Sequence, residues 1–271
     1  MSSFYLFPNS TNCQMFGAVV KTQNKTIVFD GGTLNDHPQM IEFIKSGCGS
    51  RVDAWFFTHP HHDHLGTFVS LCKTAPEIEI DGVYCHFPST ERLIELEGRV
   101  DMEINMWHVF DELVATRFAD KFHKTSAGDV YTFDDIEVSV LRVYNPEITA
   151  NFTNNSSSVY RIDGKDKKVL ILGDLGVEGG REVMANVPAN ELFADYTQMA
   201  HHGQAGADEE FYNYIKVKRC IWASPSWLYD NDNGGGIGSG PWKTLETRAW
   251  AEKMGVTEHI VEKDGLQVIE I

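Results

Sequence analysis

The sequence predicts a layered α/β domain, and three observations carry the prediction. Short apolar runs bounded by Gly, Pro, Asn or Asp recur along the whole chain, and each reads as a strand. Apolar residues at helical spacing separate several of these runs. A chain of 271 residues can bury one large core, so residues 1–271 are read as one domain.

In chain order, FYLF, MFGAVVKT and KTIVFDGG are three strands, and a helix follows from about Asp36 to Ser46 with Met40, Ile41, Phe43 and Ile44 on its apolar side. VDAWFF is a strand whose continuous run of buried types, without strict alternation, predicts cover on both faces. A helix over Thr67 to Cys72, the strand GVYCHF and a helical stretch from about Glu91 to Phe118 come next. In that stretch Ile104, Trp107, Phe110, Leu113, Val114 and Phe118 form one apolar stripe, which is core. The second half repeats the rhythm: DIEVSVLRVY, SSVYRI, KVLILGDLG, DYTQMAHHG and CIWASPSW read as strands. Thr244 to Met254 reads as a helix, and HIVEKDGLQVIEI as a closing hairpin around Lys263 to Gly265. The repetition suggests that the two halves share a topology.

The composition narrows the partners. A formal charge of −16, with Asp and Glu spread along the chain, makes the molecule repel polyanions and weighs against a nucleic-acid binder. Five cysteines with no Cys-x-x-Cys pair suit reduced thiols and a cytoplasmic setting. MSSFYLFPNSTN lacks the basic and apolar regions of a signal peptide, and no apolar run approaches a membrane span, so no membrane partner is expected. The oligomeric state leaves no mark on the sequence.

The chemistry gathers in FFTHPHHDHLG, where an apolar strand runs into four good ligands within six residues. Residues two apart on an extended strand end face the same way, so His59 and His61 can grip one ion. Asp63 and His64 fall where the chain turns into a helix and can serve a second ion nearby. Imidazoles with a carboxylate suit Zn²⁺ best, with Mn²⁺ and Fe²⁺ as alternatives. Further donors stand at later strand ends: Asp174 in LILGDLG, able to bridge two ions, and His201 and His202 in QMAHHGQ. By its place at the strand end His201 is taken as the ligand. His202 then faces the substrate as proton donor or phosphate contact, with the reverse assignment as the alternative.

HPHHDH, GD and HHG in this order resemble the metallo-β-lactamase fold hydrolases over nearly the whole chain. NNSSSVYRI, LILGDLG and MAHHG are most similar to the lactamase-like domain of the competence protein ComEC and to the phosphorylcholine esterases. The resemblance implies a four-layer αββα sandwich of two mixed β-sheets with outer helices and a site along one sheet edge. It also implies that His59 and His61 hold the first metal, that Asp63, His64 and a histidine of HHG hold the second, that Asp174 bridges, and that Asp30 in FDGG braces the site from behind. Many family members add a histidine to the first metal from a Gly-His-Thr motif, where this chain reads Asn154, Asn155, Ser156. Asn154 or Asn155 stands in, or His86, His108 or His123 reaches in, or the first metal keeps an open position. The first site is accordingly expected to be the more labile.

Two Zn²⁺ ions outweigh the charges of Asp63 and Asp174, so the pocket favours a small anionic substrate, and water activated at the ions is the nucleophile. Catalytic roles fall to Asp63, which also ligates, and to His202. Histidine at position 61, where the family's flavodiiron proteins carry glutamate, favours hydrolysis. The expected activity is that of a zinc metallo-hydrolase of a phosphodiester or phosphoester. A ComEC-like nuclease and a non-catalytic metal-binding protein are the alternatives. The loop from Ser224 to Trp242, with aromatics flanking a glycine-rich middle, reads either as a flap over the site or as a solvent loop with packed tryptophans.

Overall fold

A computed structural model of the chain describes residues 2–98 and 101–271. Among the described residues two seven-stranded sheets and one two-stranded pair form. The first large sheet runs Gln267–Glu270, Ser3–Leu6, Gly17–Lys21, Thr26–Asp30, Ala54–Phe56, Val83–Cys85, Phe122–Lys124. The second runs Val130–Phe133, Ile136–Arg142, Val159–Asp163, Lys168–Ile171, Tyr196–Gln198, Cys220–Trp222, His259–Val261. In each, the first four strands pair antiparallel and the last four pair parallel. The shared topology expected of the two halves is therefore present, with the parallel change falling after Thr26–Asp30 in one sheet and after Lys168–Ile171 in the other.

Three apolar layers fill the molecule. Between the sheets lie Phe4, Val20, Ile27, Phe29 and Phe56 from one side and Val138, Tyr160, Ile162, Ile171 and Ile221 from the other. On the outer face of the first sheet, Val28, Trp55 and Phe57 pack against Leu65, Phe68, Trp107 and Phe110 of helices. On the outer face of the second, Leu170, Leu172 and Trp222 meet Val183, Phe211 and Ala251. Helices outside and two sheets inside give the expected αββα sandwich. VDAWFF reads apolar throughout because Phe56 faces the other sheet while Trp55 and Phe57 face helices.

Three expected boundaries shift, each for a local reason. The helix expected over Thr67 to Cys72 spans His62–Thr74, because the histidine run itself opens it behind an extended His61, with Asp63 in the favourable first turn. Within that helix Gly66 has no alternative, since a Cβ there would lie 2.4 Å from the backbone nitrogen of Leu34. The stretch from Glu91 to Phe118 is two helices, Thr90–Glu97 and Asp101–Ala115, the first closed by Gly98 at φ 83. Residues 99 and 100 of that expectation lie outside the described residues. The strand in CIWASPSW covers only Cys220–Trp222, and Ser226–Tyr229 is a helical turn behind Pro225.

The closing hairpin is corrected outright. His259–Val261 pairs parallel with Cys220–Trp222 in the second sheet, whereas Gln267–Glu270 pairs antiparallel with Ser3–Leu6 in the first. The Lys263 turn therefore crosses between sheets. Buried Glu262 fixes the crossing, since one carboxylate oxygen accepts the backbone and side-chain N–H groups of Asn9 at 2.8 and 2.5 Å.

Candidate metal centre

The site sits where parallel strands of both sheets end, the usual place for chemistry in such sheets. Thr26–Asp30 ends in Asp30, and Ala54–Phe56 runs on into Thr58 and His59. Lys168–Ile171 leads to Asp174, and Tyr196–Gln198 leads to the double histidine. Gln198 helps to set the second pair of ends, its oxygen accepting the Leu172 N–H at 2.8 Å and its amide donating to the Gly173 carbonyl at 3.0 Å.

Asp30 organises the first half. Its buried carboxylate accepts the Thr58 N–H and hydroxyl, each at 2.7 Å, and lies 2.7 Å from His64 Nδ1. The bracing role implied for it is visible in these contacts. Because the Thr58 hydroxyl donates to Asp30, it accepts from His59 Nδ1 at 3.0 Å. His59 and His64 each then carry the proton on Nδ1 and turn Nε2 inward. His202 does the same, its Nδ1 donating to the Ala223 carbonyl at 2.8 Å.

Two donor groups result, with Asp174 in both: His59, His61 and Asp174, and Asp63, His64, Asp174 and His202. His59 Nε2 and His61 Nδ1 are 3.1 Å apart, close to what two nitrogens at about 2.0–2.1 Å from one tetrahedral ion require. Asp174 Oδ1 lies 3.2 Å from His64 Nε2, and Oδ2 lies 3.7 Å from His59 Nε2 and 3.6 Å from His202 Nε2. His202 Nε2 is 3.2 Å from Asp63 Oδ2. His64 Nε2, His202 Nε2 and both Asp174 oxygens are buried without a hydrogen-bond partner. Orphaned donors and acceptors converging on one point are costly unless something binds there, and the donor chemistry fits two divalent cations.

The electrostatics match. Burial disfavours a charged Asp174, yet the charges of His64 and His202 overcome it and hold the carboxyl well below its usual range. Burial likewise opposes charge on His64, but Asp174 and Asp30 lift the imidazole to about 10. His202 is raised well above its ordinary value against burial by Asp174 and Asp63. His59 is pushed well below it by burial and by His64. Without metal, protons on His64 and His202 hold the places that cations would take.

The structure places the double histidine as in the alternative assignment, with His202 and not His201 among the inward donors. His202, fully buried, belongs to the four-residue group, whereas His201 stays at the rim, 18% exposed, with Nε2 3.8 Å from Asp174 Oδ2. The reason is a left-handed turn: His201, His202 and Gly203 have φ of 51, 54 and 78, so the chain reverses at the strand end and swings the second imidazole inward. Gly203 is needed because a Cβ would lie 2.4 Å from the Trp222 ring. Two non-glycine residues held in this region signal a built site.

Of the two expected substitutes for the missing histidine, only Asn155 is engaged elsewhere through its oxygen. Asn155 is committed to the turn after Asp174, its oxygen accepting the Gly176 and Gly179 N–H groups at 2.9 and 3.0 Å. Asn154 donates its amide N–H to Asn151 at 2.9 Å, and its own Oδ1 is buried without a hydrogen-bond partner, which keeps it open as a ligand atom. His86 is tied to the Thr125 carbonyl at 2.7 Å, and His108 and His123 are exposed. Among the histidines, cysteines and carboxylates of the described residues, the first group has three members and the second four. In the loop from Ser224, the Trp227 ring packs at a tilt against Trp242, centroids 4.6 Å apart, and its indole N–H donates to the Asn12 carbonyl at 2.8 Å.

Sequence reasoning missed several partners. Ser157 accepts the Asp174 N–H at 3.0 Å, Gln14 donates to Asp63 Oδ2 at 3.0 Å, and His62 meets Glu103 at 3.1 Å. A polar residue in a loop carries no local signal for a contact made 49 positions away, as Gln14 makes with Asp63.

Comparison with known proteins agrees with this fold. Residues 12–88 match the model of the metallo-beta-lactamase superfamily. ComE operon protein 3 of Bacillus subtilis (strain 168) is 24% identical over 225 residues, covering 76% of this chain and 26% of that protein, so the chain spans about a quarter of that relative's length. The metallo-beta-lactamase fold protein YhfI from Bacillus subtilis superposes with a TM-score of 0.57 at 11% identity, covering all of both chains. A diphosphatase of the PhnP family gives 0.51 at 11% identity, covering 100% of this chain and 98% of that one. CmlA, a diiron β-hydroxylase from Streptomyces venezuelae, gives 0.57 at 10% identity, covering 100% and 54%. At these identities the structural matches show the fold alone, and that fold serves both hydrolytic and oxidative proteins. The chain is a metallo-β-lactamase-fold protein whose buried donor cluster has the composition of a dinuclear metal site.

Proposed function

We propose that the chain is a dinuclear, metal-dependent hydrolase of a small anionic ester, with phosphodiesters and phosphoesters as the favoured substrates and Zn²⁺ as the favoured metal. The observation that carries this reading is the pair of donor groups sharing Asp174. Residues 1–271 act as one metallo-hydrolase domain in it, a view supported by the core that both sheets share. Bound ions would polarise the ester and lower the pKa of water at the site.

The residues do the rest. His59, His61 and Asp174 hold one position, and Asp63, His64, Asp174 and His202 hold the other. Asp30 and the Ala223 carbonyl fix the imidazole tautomers, so that lone pairs and not N–H groups face the ions. His201, kept from charging chiefly by burial, stands at the mouth, where it can hydrogen-bond an ester oxygen; the contact first given to His202 passes to it. A charge of −16 disfavours long polyanions, which supports a small substrate over nucleic acid. A cytoplasmic setting belongs to the same reading, supported by five cysteines that are all free. No helix among the described residues is long and apolar enough to cross a membrane.

The test is hydrolysis of p-nitrophenyl phosphate and bis(p-nitrophenyl) phosphate by chelated protein reloaded with zinc, manganese or iron, with single- and double-stranded DNA as a third substrate. Metal-dependent turnover of the small esters without cleavage of DNA is expected. Absence of turnover with every metal overturns the hydrolase reading, and preferred cleavage of DNA replaces its substrate class with nucleic acid.

A further inference from the structure

The segment between Ser3–Leu6 and Gly17–Lys21 is pinned across the site. Asp36, itself buried, accepts the Ser10 and Thr11 N–H groups at 2.7 and 3.0 Å, and Glu262 accepts that of Asn9 at 2.8 Å. From this strap the Gln14 amide donates to Asp63 Oδ2 at 3.0 Å while its oxygen accepts from the Gln204 amide at 2.8 Å. Gln204 directly follows the His201-His202-Gly203 turn, so two glutamines join the N-terminal strap to the second half of the chain, across 190 positions.

The chain of bonds has a direction. Gln204 occupies the Gln14 oxygen, so the Gln14 nitrogen is the atom that faces Asp63, and the carboxylate is met by a donor in one fixed orientation. Asp63 Oδ2 is also the oxygen 3.2 Å from His202 Nε2, so Gln14 holds the oxygen that belongs to the four-residue group. A neutral donor suits this place. A lysine or arginine would neutralise the carboxylate and repel a cation, whereas an amide fixes its rotamer and leaves its charge for the ion. Gln14 makes no hydrogen bond to His59, His61 or Asp174.

We propose that Gln14, oriented by Gln204, is a positioning residue for Asp63, and that it sets the affinity of the metal position formed by Asp63, His64, Asp174 and His202 without setting that of the His59–His61 position. The proposal rests on the dinuclear reading above and deepens it. Removing the amide frees the Asp63 carboxylate to rotate, which costs the four-residue position and leaves the other alone.

The test is competition of Zn²⁺ against a chromophoric chelator, with Co²⁺ absorption as a second readout, on the parent, Gln14→Ala and Gln204→Ala. One of the two affinities is expected to fall by about 10–100-fold in Gln14→Ala, the range seen when a partner behind a metal ligand is lost. Gln204→Ala should weaken the same position by less, and the Co²⁺ spectrum should change for that position only. The thermal midpoint of the chelated variants should match the parent. Unchanged affinities overturn the proposal, as does an equal loss at both positions with a lower midpoint, which would mark a merely structural contact. If Gln14→Ala does not fold, Gln204→Ala carries the same test, since its side-chain amide donates to Gln14 and acts on Asp63 through it. A parent that binds fewer than two ions overturns the dinuclear reading and the proposal together, whereas two ions in the parent and unchanged affinities in the variants overturn the proposal alone.

Discussion

Asp174→Ala is expected to lower ester hydrolysis by well over a hundredfold and to reduce bound metal from two ions per chain to fewer than one. Asp174 belongs to both donor groups, and its oxygens lie 3.2 to 3.7 Å from the inward nitrogens of His64, His202 and His59. No neighbouring carboxylate can replace it. Asp63 is engaged with His202 and Gln14, and Asp30 with Thr58 and His64. Loss of a residue behind a single ligand costs about 10–100-fold in metal affinity or activity, and loss of a shared ligand must exceed that. Metal analysis and steady-state kinetics on the same preparation check the result, and a variant that keeps both ions contradicts it.

The metal-free protein is expected to lose stability steadily as pH rises above about 7, whereas the metal-loaded protein gains stability over the same rise. His64 is lifted to about 10 in the fold, so its charged form stabilises the chelated protein fully below about pH 6.5, and that contribution is lost as pH climbs through 10. His202, raised well above its ordinary value, acts in the same direction. Asp63 and Asp174 are held well below the carboxylate range, so their contribution is complete above about pH 4 and fails only in stronger acid. Glu262, buried and pushed up to about 7, adds to the loss between about pH 4.5 and 7. The histidine contribution from His64 is on the order of 3–5 kcal/mol between neutrality and pH 10. Metal ligands must shed these same protons, so binding strengthens with pH. Thermal midpoints of chelated and reloaded protein from pH 5 to 9 should therefore diverge. Glu262→Gln should remove the Glu262 loss below pH 7, leaving there the opposite slope of His59, whose depressed imidazole favours the fold as pH rises through about 6.5, and should leave the loss above pH 7 unchanged. A flat chelated curve contradicts the account.

Much of this was legible in the sequence because the informative patterns are local. The apolar runs mark strand positions, and VDAWFF announces a strand covered on both faces by carrying large apolar residues at successive positions. His59, His61, Asp63 and His64 are close in sequence, so strand and helix periodicity alone says how they can face one point. Asp174 and the double histidine were marked by their places at strand ends.

What the sequence withheld depends on long-range partners or on unusual backbone. The order of His201 and His202 turns on two left-handed residues, and no propensity predicts histidine there. The closing hairpin was misread because a short turn between two strands also fits a crossing between sheets. Only the pairing of Ile269 with Phe4 and of His259 with Cys220 decides which occurs. Gln14, Ser157 and Glu103 enter the site through contacts of 49, 17 and 41 positions, and nothing in their own neighbourhoods distinguishes them from surface polar residues.

Anomalous scattering at the zinc edge from a crystal of the zinc-loaded protein tests the central claim most directly. Two peaks flanking Asp174 are predicted, one beside His59 and His61 and the other among Asp63, His64 and His202, with His201 coordinating neither. A single peak, or a peak bound by His201 in place of His202, would contradict the account.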